Sequence, residues 1–226
     1  MALWQMTENP RLGIWRIEES EEQLLAQLSD RADYLPFLER VKGVERRREW
    51  LASRVLLRQL LGHEARIAYC PNGAPYLPDE PWQISISHTK GYAAVLLQRE
   101  PAVGIDIEYR APRVLRIRSR FVSQAEEAGI DPAQEVEYLL VHWCAKEALF
   151  KMIGQQEVDF IEHLHVQPFS LQSAGIIKVR ETRTARQATY RLAYHLFPDF
   201  VLVYSCPAGV ASGLLPDFPS GHGLQQ

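Results

Sequence analysis

The sequence predicts an α+β fold of two similar α/β lobes in a pseudo-twofold relation. Three observations carry that reading. Each half of the 226-residue chain runs from helical periodicity into alternating, strand-like segments of similar length. Each half contains one long apolar helical stretch that stops at a glycine. Hydrophobic residues make up 46% of the chain, enough for a sizeable core. No residue-level repeat accompanies the similarity. The expected organisation is an N-terminal lobe over 1–105, a C-terminal lobe over 106–206 and an irregular tail rich in Pro, Gly and Ser over 207–226.

Along the first lobe, Leu12 to Glu18 reads as a strand, and Ser20 with Gln23 forms a capping box that opens a helix through Leu28. Tyr34 to Val41 is a short helix that breaks at Lys42-Gly43. Glu45 to Leu61 is a helix with Gly62 as its C-cap. A turn follows over Pro71–Pro75. Trp82 to Ser87 alternates as a strand, Thr89-Lys90-Gly91 is a tight turn, and Tyr92 to Gln98 returns as the partner strand. Ala102 to Glu108 is one further strand. The second half opens with Arg110 to Arg120, which holds five arginines. Ser123 and Glu126 cap a short helix, Gln134 to Ile153 is a long helix stopped by Gly154, and Ile176–Arg180, Tyr190–Leu196 and Phe200–Cys206 are strands of an antiparallel sheet.

Composition removes several function classes. A net charge of −3 argues against a generically basic, nucleic-acid-coating protein. Cys70, Cys144 and Cys206 are far apart, which argues against a disulfide framework or a structural zinc site and fits a reducing, cytoplasmic setting. The N-terminus lacks the pattern of a signal peptide, and no apolar run has the length of a membrane span.

The segment GIDIEYR, Gly104 to Arg110, sets two carboxylates within a hydrophobic run. On a strand, residues two apart share a face, so Asp106 and Glu108 point together while Ile105 and Ile107 point away. A carboxylate pair needs a cation, either an arginine or a hard divalent metal with oxygen ligands. A strand with one solvated face is the alternative. A second acidic segment, Trp143 to Lys151 (WCAKEALFK), places Trp143, Glu147 and Lys151 on one helical stripe, with Leu140, Leu149 and Phe150 marking a mostly buried helix. Arg54 and Arg58 each fall within about 20° of Arg47 around their helix. That stripe suits either a bound phosphate or a solvated face. Ser87 and His88 follow the strand WQISIS. Three carboxylates, an arginine stripe, a histidine and a lysine describe a divalent metal on a pyrophosphate. Neither a P-loop nor a GxGxxG pattern is present.

These segments, in this order, resemble the 4'-phosphopantetheinyl transferase superfamily, of the long, two-lobed, surfactin-synthetase-activating type. The resemblance rests on RREWLASR (Arg47 to Arg54), NGAP (Asn72 to Pro75), ISISHT (Ile84 to Thr89), GIDIE (Gly104 to Glu108), RFVS with Glu126 (from Arg120), and the WxxKExxxK helix from Trp143 to Lys151. It implies coenzyme A in a cleft between the lobes. It further implies magnesium-dependent transfer of the phosphopantetheine arm to a serine of an apo acyl or peptidyl carrier protein, with release of 3',5'-ADP. By position, Asp106, Glu108 and Glu147 would be metal ligands, and Glu147 would also take the serine proton, directly or through water. Lys151 would contact the pyrophosphate or stabilise the leaving charge. Ser87 and His88 would hold phosphates, and Arg47 and Arg54 would reach the 3'-phosphate and the adenine side. If the helix is rotated, Arg46 or Arg48 takes that place.

One position departs from the pattern. Ala74 stands where the family usually has lysine, so either Lys90 or Arg48 compensates or coenzyme A binds more weakly. Arg113, Arg116, Arg118 and Arg120 are either a docking face for the acidic carrier or a solvated loop. A chain of this length can build the whole cleft as a monomer. The competing readings are a metal-dependent phosphodiesterase and a non-catalytic carrier-protein-binding module.

Overall fold

The computed structural model describes residues 3–8, 10–29, 31–99, 103–206 and 218. The tail expected over 207–226 therefore lies outside the described residues, Phe218 apart. A hairpin of β1 (Leu3–Glu8) and β2 (Arg11–Arg16) leads into α1 (Glu21–Leu25), which the Ser20–Gln23 capping box opens, and then α2 (Leu35–Arg40). The long helix α3 (Val44–Leu61) ends at Gly62, whose φ of 82° is the left-handed cap conformation. Two short strands, β3 (Ala68–Tyr69) and β4 (Pro75–Tyr76), pair across the NGAP turn. Next come β5 (Gln83–Thr89) and β6 (Tyr92–Gln98), joined at Lys90-Gly91, so Thr89 belongs to the strand and not to the turn.

The chain continues through β7 (Ile105–Tyr109), a 3₁₀ stretch over Pro112–Arg120, α4 (Gln124–Glu127) and α5 (Glu135–Ile153). It closes with β8 (Leu164–Val166), β9 (Ala174–Glu181), β10 (Thr189–Leu196) and β11 (Phe200–Ser205). The fold is α+β. One sheet has the order β1-β2-β6-β5 and the other β7-β11-β10-β9-β8, with every neighbouring pair antiparallel. β7 joins the second sheet whole, so the expected lobe boundary at 105/106 falls inside a strand.

Strand periodicity sorts the apolar residues into three cores. Ala93, Val95 and Leu97 of β6 pack with Leu51, Val55 and Leu56 of α3. The alternate residues Ala94 and Leu96 turn the other way and join Ile105 and Ile107 of β7 with Leu202 and Tyr204 of β11, between the two sheets. Val201 and Val203 point to the far side, against Leu140, Cys144 and Ala148 of α5. The layering is helix, sheet, sheet, helix, with β7 facing the sheet–sheet core through its isoleucines and α5 through its carboxylates.

Gly104 sets how closely α5 lies on β7. A Cβ there would stand 2.1 Å from the Ala148 carbonyl oxygen, a separation no other residue tolerates. On the far flank of α5, Lys146 is fully buried and its ammonium donates three hydrogen bonds. These run to Phe121 O (2.5 Å), Glu126 Oε2 (2.8 Å) and Phe160 O (2.9 Å). Glu126 also accepts from Ser123 N and Val166 N, so both buried charges are satisfied and the segment from Phe121 is pinned to the helix.

Candidate active site between the acidic strand and the second long helix

β7 presents Asp106 and Glu108 to α5, and α5 answers with Trp143, Glu147 and Lys151, one per turn. Lys151 Nζ donates to Ile105 O and to Asp106 Oδ1, each at 2.8 Å. The i,i+4 pairing of Glu147 with Lys151 on their own helix gives way to this contact across the cleft. Trp143 Nε1 donates to Glu108 Oε1 (3.1 Å), and Arg113 Nη2 to Glu108 Oε2 (3.1 Å). Ser87 Oγ donates to Asp106 Oδ1 at 2.8 Å, and Thr89 Oγ1 to Glu108 Oε2 at 3.4 Å.

Burial and the neighbouring carboxylates raise Glu147 and Glu108. Burial, and then the charge of Asp106, push the Glu147 carboxyl up to about 7, against the opposing pull of Lys151. Glu108 is also raised, by burial first and Asp106 second, with Arg113 and Trp143 opposing. The buried Cys144 thiol beneath them is held well above its ordinary range, first by burial and then by Asp106 and Glu108.

Asp106 Oδ2 is buried and has no partner of ordinary hydrogen-bond geometry, although the Cys144 thiol, a weak donor, lies close to this carboxylate. An orphaned carboxylate oxygen among other carboxylates is the donor chemistry of a hard divalent cation. Among the described residues, no three histidine, cysteine or carboxylate side chains already stand close enough together to grip an ion. Two of the three acids are instead drawn toward protein partners, Asp106 to Lys151 and Glu108 to Arg113. The oxygen set fits a magnesium-like ion, and one oxygen of that set is bare.

Beside the acids lies a cavity of about 470 Å³ with walls from both halves of the chain. One wall is Arg46, Trp50, Ser53 and Arg54 of α3, with Tyr69 to Tyr76 of the small hairpin. The opposite wall is Phe150, Lys151 and Met152 at the end of α5, with Gly154 to Gln156, and Ile86 and His88 of β5 close it. Asn72 Nδ2 donates to Gly154 O (3.0 Å) and ties the hairpin turn to the end of α5. Arg54 is 6% exposed, lies 3.6 Å from the Trp50 ring centroid and donates to Tyr69 Oη at 2.6 Å. Its other bonds run to Trp50 O (3.1 Å) and Ser53 Oγ (2.8 Å), so among the described residues no carboxylate pairs with this nearly buried guanidinium at the cavity wall. Arg46 Nη1 stands 2.9 Å from His88 Nε2, and His88 Nδ1 3.1 Å from Glu49 Oε2. A guanidinium only donates, so the bond from Arg46 makes Nε2 the acceptor and leaves Nδ1 to donate to Glu49.

Several expected residues sit elsewhere. The arginine stripe does not act as one surface. Arg47 turns to Glu21 (2.6 Å) and the Val41 carbonyl (2.9 Å), and Arg58 to the Gln27 carbonyl (2.5 Å), while Arg54 and Arg46 line the cavity. The reason is local: α1 and the segment around Val41 pack on that side of α3 and supply acceptors. Ser87 does not line the cavity; its hydroxyl is spent on β7. Neither candidate replacement for a lysine at Ala74 reaches the cavity. Lys90 lies over the Tyr109 ring, and Arg48 binds Glu19 O, Ile17 O and Glu45. Trp143 as a partner of Glu108, and the Trp50–Tyr69 corner, were not singled out from sequence. The spacing of Trp143 ahead of Glu147 and Lys151 was the available signal for the first.

Residues 102–205 match the 4'-phosphopantetheinyl transferase superfamily model, and residues 40–98 match the 4'-phosphopantetheinyl transferase N-terminal domain. The chain is 31% identical over 165 residues to 4'-phosphopantetheinyl transferase Sfp of Bacillus subtilis strain 168, covering 71% of this chain and 68% of that protein. It is 36% identical over 115 residues to 4'-phosphopantetheinyl transferase AcpT of Escherichia coli K12, covering 48% of this chain and 59% of AcpT. With 4'-phosphopantetheinyl transferase HetI of a Nostoc species it shares 27% over 187 residues, 71% of this chain and 78% of HetI. The match to the AcpT relatives thus spans less than two thirds of their length. The chain belongs to the 4'-phosphopantetheinyl transferase superfamily.

Proposed function

We propose that this chain transfers the phosphopantetheine arm of coenzyme A to a serine of an apo acyl or peptidyl carrier protein and releases 3',5'-ADP. The observation that carries the reading is the meeting of Asp106 and Glu108 with Glu147 and Lys151 beside a cavity walled by Arg46, Arg54 and His88. Coenzyme A would lie in that cavity, its phosphates toward the arginines and Lys151. The membership of the chain in the superfamily, and the names of Sfp, AcpT and HetI, support the same activity.

Asp106, Glu108 and Glu147 would hold magnesium, with Asp106 Oδ2 as the oxygen already free. Bound there, the ion supplies neutralisation of pyrophosphate charge. Glu147, poised near neutrality, takes the proton of the attacking serine hydroxyl, where a matched base typically contributes ~10²–10⁴-fold. The serine oxygen forms its bond to the phosphorus bearing the pantetheine arm as the bond from that phosphorus to the oxygen of 3',5'-ADP breaks. Lys151 has one ammonium proton beyond its bonds to Ile105 O and Asp106, and it meets the charge on the departing phosphate. Arg113 and Arg116 edge a separate hollow of about 360 Å³ floored by Val114, Ile117, Leu140 and Trp143, which gives the acidic carrier a face to approach next to Glu108. We place the protein in the cytoplasm as a monomer. Among the described residues, no helix is long and apolar enough to cross a membrane.

The test is incubation with coenzyme A, magnesium and an apo carrier protein, with mass analysis of the carrier. Asp106→Ala should nearly abolish the gain of a phosphopantetheine arm. Normal transfer by that variant would defeat the metal assignment.

A further inference from the structure

The edge strand β7 has three amides that face the neighbouring sheet, and among the described residues no strand pairs with them. Hydroxyls of β5 accept them instead: Ile105 N donates to Ser85 Oγ (3.1 Å), Ile107 N to Ser87 Oγ (3.3 Å) and Tyr109 N to Thr89 Oγ1 (2.9 Å). The period-two motif S-x-S-x-T places one hydroxyl at each rung. The three rungs are not equivalent. A hydroxyl that accepts an amide still has its own proton to donate. Ser87 gives that proton to Asp106 Oδ1, and Thr89 gives its proton to Glu108 Oε2, whereas Ser85 touches neither acid.

We propose that Ser87, and more weakly Thr89, are positioning residues for the acidic pair. This rests on the metal reading above. Ser87 is 7% exposed and does not line the cavity, although Ile86 and His88 on either side of it do. Its proton and that of Lys151 both go to Oδ1 of Asp106, which fixes the carboxylate rotation and leaves Oδ2 as the bare oxygen. Partners of this kind typically change metal affinity 10–100-fold when removed.

The measurement is binding of Mn²⁺ to the full chain by electron paramagnetic resonance, with coenzyme A binding measured separately by calorimetry in metal-free buffer. Ser87→Ala should weaken Mn²⁺ about tenfold and leave metal-free coenzyme A affinity unchanged. Ser85→Ala, which loses a ladder bond but no carboxylate contact, should keep wild-type Mn²⁺ affinity. Ser87→Thr, which keeps the hydroxyl, should restore it. Should Ser87→Ala fail to fold, Thr89→Val reports the second rung, with a smaller loss because that bond is longer. Unchanged Mn²⁺ affinity in both Ser87→Ala and Thr89→Val overturns the inference, as does a Ser87→Ala protein that loses coenzyme A affinity without metal. A wild-type chain that binds no Mn²⁺ overturns the metal reading and the inference with it.

Discussion

Glu147 gives the most quantitative handle on the site. Its carboxyl is raised from the ordinary 4.5 to about 7 by burial and by Asp106. The folded state therefore holds this proton more tightly than the unfolded chain does. Below pH ~4.5 the group is protonated in both states and has no effect on stability. As pH rises toward 7 the unfolded chain ionises first, and the folded state loses stability relative to it. Above about 7 the whole cost is present. A shift of this size is worth at most roughly 3 kcal/mol. Glu147→Gln removes the ionisation and keeps the shape. In urea melts with EDTA, the variant should match wild type near pH 4 and exceed it by up to roughly 3 kcal/mol near pH 8. Adding magnesium at pH 8 should stabilise wild type, because the ion replaces the proton, and should do less for the variant. A difference between the two proteins that stays flat from pH 4 to 8 would refute the claim that burial and then Asp106 raise the Glu147 carboxyl.

Three further outcomes test the frame around the acids. Gly104→Ala forces β7 and α5 apart at the Ala148 carbonyl and should cost about 1–3 kcal/mol by denaturant melting, with a larger loss of transfer than of stability. Lys146→Ala strands the buried Glu126 carboxylate and should destabilise by about 3–5 kcal/mol in the same assay, although Lys146 does not touch Asp106 or Glu108. Arg113 competes with an incoming cation for Glu108 through an exposed ion pair worth at most about 1 kcal/mol, so Arg113→Ala should tighten Mn²⁺ binding by no more than about fivefold. Weaker Mn²⁺ binding in that variant would show that Arg113 supports the site and does not compete for it.

Much of the acidic half of the site was legible in the sequence, because its geometry follows from two periods. A strand sends residues two apart to one side, so GIDIEYR declares that Asp106 and Glu108 share a face and that the isoleucines seek a core. A helix stacks residues four apart, so Trp143, Glu147 and Lys151 had to form a stripe. The basic half was less legible. Arg47, Arg54 and Arg58 share a helical direction, but direction does not say which acceptors pack alongside. Glu21 and the Val41 carbonyl claim Arg47, and one residue earlier Arg46 reaches the cavity. Ser87 shows the same limit, since its role depends on β7 lying against β5, a contact between segments that no local pattern encodes. The strand β8 escaped notice because it is only three residues long, and β1 because Leu3–Glu8 does not alternate and is held by pairing with β2.

The central claim is that the acids of β7 and α5 together serve phosphopantetheine transfer, and the carrier protein itself reports on it most directly. The protein should be mixed with coenzyme A, magnesium and an apo carrier, and the carrier weighed by mass spectrometry while 3',5'-ADP is counted. The account predicts one phosphopantetheine arm on the carrier serine for each 3',5'-ADP released, and neither product in EDTA. A chain that binds coenzyme A and the carrier yet leaves both unchanged, with magnesium present, would contradict it.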